Sequence, residues 1–98
     1  MKIPKKFKIL GYTIKVKYKK DLCALNDVYG FAEYRKNTIR LQKVMGIYTK
    51  NQIEATFYHE VVHFILNAMG EDELKSNEKF VGLFADMLHQ IEKTSKYE

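Results

Sequence analysis

The sequence predicts an α+β domain: a small antiparallel sheet of two hairpins packed on one long helix, with a second helix folded back antiparallel to the first. Three observations carry this. Residues 6–42 contain four short runs with the two-residue alternation of strands, residues 49–69 show unbroken apolar periodicity of the helical kind, and residues 76–94 form a second amphipathic run. Ninety-eight residues make one domain, spanning 1–98, with a core of modest size.

Each element has its own signal. Residues 6–10 and 12–19 read as strands meeting near Gly11, and residues 30–35 and 38–42 as a second hairpin turning at Lys36 and Asn37. The segment "KDLCALNDVY" between them is too short for a long helix. After Gly46, Thr49 and Gln52 have the spacing of a capping box, and the helix they open runs about five turns to Met69, with Gly70 as its stop. The charged stretch "EDELKSN" leads to the second helix, which starts at Ser76 or Asn77 and ends near Thr94.

Composition narrows the class. At 46% hydrophobic and 30% charged, and with no apolar run near the ~20 residues of a membrane span, the chain reads as a soluble globule with no membrane partner. The N-terminal "MKIPKKFKIL" lacks the apolar stretch of a secretory signal, so a cytoplasmic setting is expected. Cys23 is alone, which excludes an internal disulfide and a multi-cysteine metal site, and it reads as a small half-buried side chain. The net charge of +5 admits a nucleic-acid partner. Lys15, Lys17 and Lys19 alternate with Ile14, Val16 and Tyr18, however, and the simpler reading is a half-buried strand showing lysines to water.

The stretch "FYHEVVHFIL", residues 57–66, carries the chemistry. Two histidines at i, i+4 project from one face of a helix and can share one metal ion, and the glutamate after the first sits on the flank. Projected at about 100° per residue, Phe57, Val61, Phe64, Ile65 and Ala68 centre an apolar arc. His59 and His63 fall opposite that centre beside Gln52 and Thr56, and Glu60 lies at the arc's edge. A satisfied buried pair or two solvent-exposed histidines are the plain structural alternatives, and neither accounts for an H-E-x-x-H spacing on a capped helix. Zinc, one ion per chain, is therefore the expected cofactor.

Two imidazoles leave the site incomplete, because catalytic zinc takes three protein ligands and a water. Leu66 and Met69 exclude a third histidine further along the same helix. Folding the second helix back near Gly70 brings Glu78 level with His63. On that helix Phe80, Leu83, Phe84, Met87, Leu88 and Ile91 read as the core stripe, with Glu78, Gly82, Ala85 and His89 on the other side. Glu78 is thus the expected third ligand, although an acid in a first helical turn is also favoured by the macrodipole. Glu71 and Glu73 are reserve ligands. His89, some 16 Å along the axis from Glu78, is expected in a surface or packing role.

"HEVVH" followed by "NEKF" on a second helix resembles the gluzincin clan of zinc metallopeptidases, and the chain as a whole resembles its minimal phage-type or prophage-type members. The resemblance covers residues 49–91 firmly and begins loosely near residue 7. It implies that His59, His63 and Glu78 ligate the metal and that Glu60 is the catalytic acid and base. It also implies that Phe31, Ala32, Glu33 and Tyr34 form the strand edge holding an extended peptide. Gly82 stands where larger gluzincins often carry a histidine-orienting aspartate, and Asp86, one turn later, is the available substitute.

The expected activity is zinc-dependent endopeptidase hydrolysis of a protein or peptide substrate, with Glu60 making both proton transfers. None of the seven tyrosines is singled out as the group that stabilises the oxyanion. Two alternatives come from other classes: a zinc-binding regulatory or interaction module with little peptidase activity, and a nucleic-acid-associated domain docking through the lysine-rich strand.

Overall fold

The computed structural model describes residues 3–97. The chain forms β1 (Lys6–Ile9), β2 (Tyr12–Lys19), a short α1 (Leu22–Asn26), β3 (Gly30–Glu33), a 3-10 turn over Tyr34–Lys36, and β4 (Thr38–Gln42). The helices α2 (Lys50–Met69), α3 (Asp72–Lys75) and α4 (Glu78–Thr94) follow. Leu10 and Gly11 both take positive φ and close the first hairpin tightly. The second hairpin turns earlier than its sequence suggests. Tyr34 leaves the strand for the 3-10 turn, which Asn37 closes in the left-handed region, its N–H donating to the Tyr34 carbonyl.

The expected antiparallel sheet is instead mixed. Strand order is β1-β2-β4-β3: the two hairpins are antiparallel within themselves, but β2 and β4 join them in parallel, with Val16 beside Ile39 and Tyr18 beside Leu41. Burial explains the order. Ile39 and Leu41 are fully buried, so β4 takes an interior position, while the half-buried β3 is left at the edge. Gln42, also fully buried, secures the crossing. Its Oε1 accepts from the Cys23 N–H at 2.8 Å, and its Nε2 donates to the Lys20 carbonyl at 2.6 Å, fixing the start of α1 against β4.

Helix α2 is the centre of the molecule and has two apolar faces rather than the single arc its periodicity suggested. Ile53, Phe57 and Phe64 pack on Ile14, Val16, Ile39 and Leu41 of the sheet, whereas Val62 and Leu66 pack on Val81 and Ala85 of α4. Thr49 and Gln52 form the full capping box at its start. At its end Gly70, in the left-handed region, donates to Asn67 while Glu71 donates to Leu66, which turns the chain toward α3. Contacts then run Asn51 to Lys93, Glu54 to His89 and His63 to Glu78, so α4 returns antiparallel along α2. No helix among the described residues is long and apolar enough to cross a membrane.

Helix α4 is rotated relative to the sequence expectation. The stripe expected in the core is largely exposed: Leu83, Phe84, Met87 and Ile91 face outward, and Val81, Ala85 and His89 are buried. The inward residues are the smaller set and include a histidine with a partner. His89 Nε2 and Glu54 Oε1 meet at 3.3 Å in the buried interface, and the imidazole stacks on Tyr58. Burying Glu54 without that pairing is costly, so the polar contact favours this rotation. His89 therefore has a packing role between the helices.

Candidate metal centre

One helical turn separates His59 from His63, and their rings lie 5.0 Å apart, centroid to centroid. Glu78 enters from the first residue of α4, where Asn77 caps the helix by accepting from the Phe80 N–H. His59 Nε2 lies 2.9 Å from Glu78 Oε2, and His63 Nε2 lies 3.2 Å from Glu78 Oε1. One ligand atom from each of these residues falls within 4.8 Å of the others. The edge of a tetrahedron around zinc at ~2.0–2.1 Å is about 3.3 Å, so the two histidine–carboxylate contacts are near that spacing and the set as a whole closes inward from 4.8 Å to hold one ion. Two imidazoles and a carboxylate also suit a borderline metal. Glu71, at the α2–α3 turn, and Glu73, in α3, lie outside this cluster.

Burial holds the His63 imidazole below its ordinary pKa against the upward pull of Glu78, which favours the neutral, ligand-competent ring. Its Nδ1 is buried without a hydrogen-bond partner among the described residues. Among the described residues Asp86 makes no hydrogen bond to either histidine, so the expected orienting role is not filled in this arrangement. Asp86 instead lines an open cleft of about 340 Å³ with Val28, Tyr29, Gly30, Thr56, His59 and Glu60.

Glu60 is 7% exposed and stands apart from the three ligand atoms. Burial pushes its carboxyl up to about 7, with His59 opposing the shift and Glu78 adding to it. The sign of the consequence follows. An unfolded carboxyl near 4.5 and a folded one near 7 mean that the native state holds the proton more firmly, so metal-free protein loses stability as pH rises across that window. Under chelator, Glu60→Gln is therefore expected to unfold later than wild type at pH 8, by up to about 3 kcal/mol, with the gap closing toward pH 4.5. Denaturant titrations at both pH values check this, and a gap independent of pH contradicts it.

The strand beside the cleft is β3, whose outer side has no strand partner among the described residues. Phe31, Ala32 and Glu33 lie on it; Tyr34 lies just past its end, packed edge-on against Phe64 with the Lys75 ammonium 4.8 Å from its ring centroid. Burial, with Glu60 and Glu78 in support, pushes the Tyr34 hydroxyl up to about 12. It stays protonated and can donate. Sequence spacing could not single it out among seven tyrosines, because its approach to the site depends on how β3 ends over α2.

Gly30 sets that approach. A Cβ there would sit 2.8 Å from the Arg40 carbonyl oxygen, 2.8 Å from Leu41 Cδ2 and 2.8 Å from Thr56 Cγ2, so only glycine lets β3 start this close to α2. Gly30→Ala is expected to cost about 1–3 kcal/mol by overpacking, read as a lower denaturation midpoint. An unchanged midpoint would show that β3 moves freely.

Comparison with protein-family models, curated proteins and solved structures finds no match to this chain.

Proposed function

We propose that the protein is a gluzincin-like zinc metallopeptidase in which His59, His63 and Glu78 hold one zinc ion and Glu60 moves the protons. The observation that carries this reading is the division of labour at the site. Three ligand atoms from two helices converge within 4.8 Å, while a fourth group, the Glu60 carboxyl, is buried beside them and outside the cluster. Zinc, when bound, supplies Lewis acidity that acidifies a water and polarises a peptide carbonyl. Glu60 takes the proton from the attacking water and returns it to the leaving amine, a role suited to a carboxyl that titrates near neutral pH. Tyr34 donates its hydroxyl proton in a hydrogen bond to the carbonyl oxygen as negative charge develops there.

Substrate binding follows from the open strand. An extended peptide adds to the free edge of β3 by backbone hydrogen bonds along Phe31, Ala32 and Glu33, with alternate side chains entering the cleft lined by Tyr29, Thr56 and Asp86. A second reading has one observation in its favour. The exposed stripe of Leu83, Phe84, Met87 and Ile91 on α4 is the kind of surface a zinc-stabilised interaction module presents. The test is metal content by mass spectrometry together with hydrolysis of an unfolded protein, before and after chelation. One zinc per chain with chelator-sensitive cleavage supports the peptidase; one zinc with no cleavage moves the assignment to the module, and no zinc removes both.

A further inference from the structure

The sheet and the helices carry opposite charge. Residues 1–49 contain twelve Lys and Arg against three Asp and Glu, a net +9, whereas residues 50–98 contain five against nine, a net −4. The net +5 of the chain is thus a strongly basic sheet half set against an acidic helical half. Tertiary structure concentrates the first of these further. Ile14 and Val16 of β2 face α2, so Lys15, Lys17 and Lys19 alternate onto the opposite face. In β1, Lys6 stands directly across from Lys15 and Lys8 across from Thr13, which puts two more lysines on that same face.

We propose that the part of this face formed by β1 and β2, where the lysines are exposed, is a docking surface for nucleic acid, held through its phosphate backbone. Lys6, Lys8, Lys15, Lys17 and Lys19 are all exposed, and none of them has an ion-pair partner among the described residues. Arg40, on the same face beside Lys17, is held by Glu33, so the acid available there is already engaged. A sheet face that serves only to meet water gains by alternating charge across its strands. Here Lys6 faces Lys15, a like-charge cross-strand pair that destabilises the hairpin unless an anion lies over it. A shallow hollow of about 240 Å³ lined by Lys6, Phe7, Lys8 and Thr13 offers an anion a seat at that place.

Spacing favours a regular polyanion. Alternate lysines on β2 are about 6.8 Å apart, twice the ~3.4 Å axial step between phosphates on one strand of a duplex. Neutralising a row of phosphates releases condensed counterions, which gives the surface a salt-dependent affinity without base readout. A membrane is the weaker fit. Stable attachment to lipid adds buried apolar area to the charge, and Ile14 and Val16, which alternate with the lysines of β2, are buried on the opposite face.

The test is binding of the full chain to short labelled DNA and RNA oligonucleotides, followed by fluorescence anisotropy across a salt titration. Wild type is expected to bind at low salt with a log–log slope of about −3 to −4.5, corresponding to four or five phosphate contacts. Replacing Lys6, Lys15 and Lys17 together by Gln is expected to weaken binding at least about tenfold and flatten the slope by about 2 to 3. Replacing Lys50, Lys79 and Lys96, which removes the same charge from the helical layer, is expected to leave the slope unchanged. Lys17→Gln alone, flattening it by about 1, keeps the test open should the triple variant fail to fold. Three results overturn the proposal: no saturable binding at low salt, equal weakening by the two triple variants, or tighter binding to anionic phosphatidylserine vesicles than to the oligonucleotides.

Discussion

Glu60→Gln is expected to keep one zinc per chain and to lower peptide hydrolysis by at least about 100-fold, the usual contribution of a positioned general base. The substitution keeps the shape and hydrogen-bonding capacity of the side chain and removes its ability to take a proton. Metal retention is expected because the proposed ligand atoms are those of His59, His63 and Glu78, with Glu60 outside the cluster. The variant also loses the buried charge, so the fold is at no disadvantage at neutral pH. Metal analysis and turnover measured on one preparation separate the outcomes. Loss of zinc would make Glu60 part of the metal site, and unchanged turnover would place proton transfer on another group.

The second large effect concerns the metal itself. His63→Ala and Glu78→Gln are each expected to weaken zinc binding by more than the 10- to 100-fold that accompanies loss of an outer-sphere partner. Glu71→Gln and Glu73→Gln are expected to leave it unchanged, because their carboxylates lie outside the cluster. Competition against a chelator of known affinity provides the measurement. Glutamine at position 78 is preferred to alanine because it keeps the hydrogen-bonding reach between α2 and α4. Full zinc affinity in Glu78→Gln would falsify the ligand assignment. If Glu71→Gln or Glu73→Gln then abolished binding, the third ligand would come from the turn between α2 and α4.

The long helix was the most legible part of the chain. Its capping box, its stop at Gly70 and the i, i+4 placement of His59 and His63 depend on interactions within a few residues, and each is present in the structure. Strand 30–33 was legible by alternation, but Tyr34 was not, because the 3-10 turn that takes it out of the strand is closed by Asn37 in a conformation set by the hairpin as a whole. The segment holding α1 reads in sequence only as too short for a long helix, for a similar reason. Five residues make too short a helix to be stable alone, and this one is held by the side chain of Gln42, nineteen residues beyond Cys23.

Sequence by itself determined the α+β class, the helical register that presents two imidazoles on one side, and the basic character of β2, since all follow from the periods of 3.6 and 2.0. Only the tertiary structure decided strand order, the face α4 buries and the seat of Glu60. Periodicity shows that α4 has an apolar stripe, but it does not say which stripe meets α2. The choice fell to Val81, Ala85 and His89, because the small Val81 and Ala85 allow close approach and the buried Glu54 finds its partner in His89. That rotation leaves Leu83, Phe84, Met87 and Ile91 outside and sets Glu78 against both histidines. The joining of β2 to β4 was likewise decided by burial across the whole sheet, which no window of neighbouring residues contains.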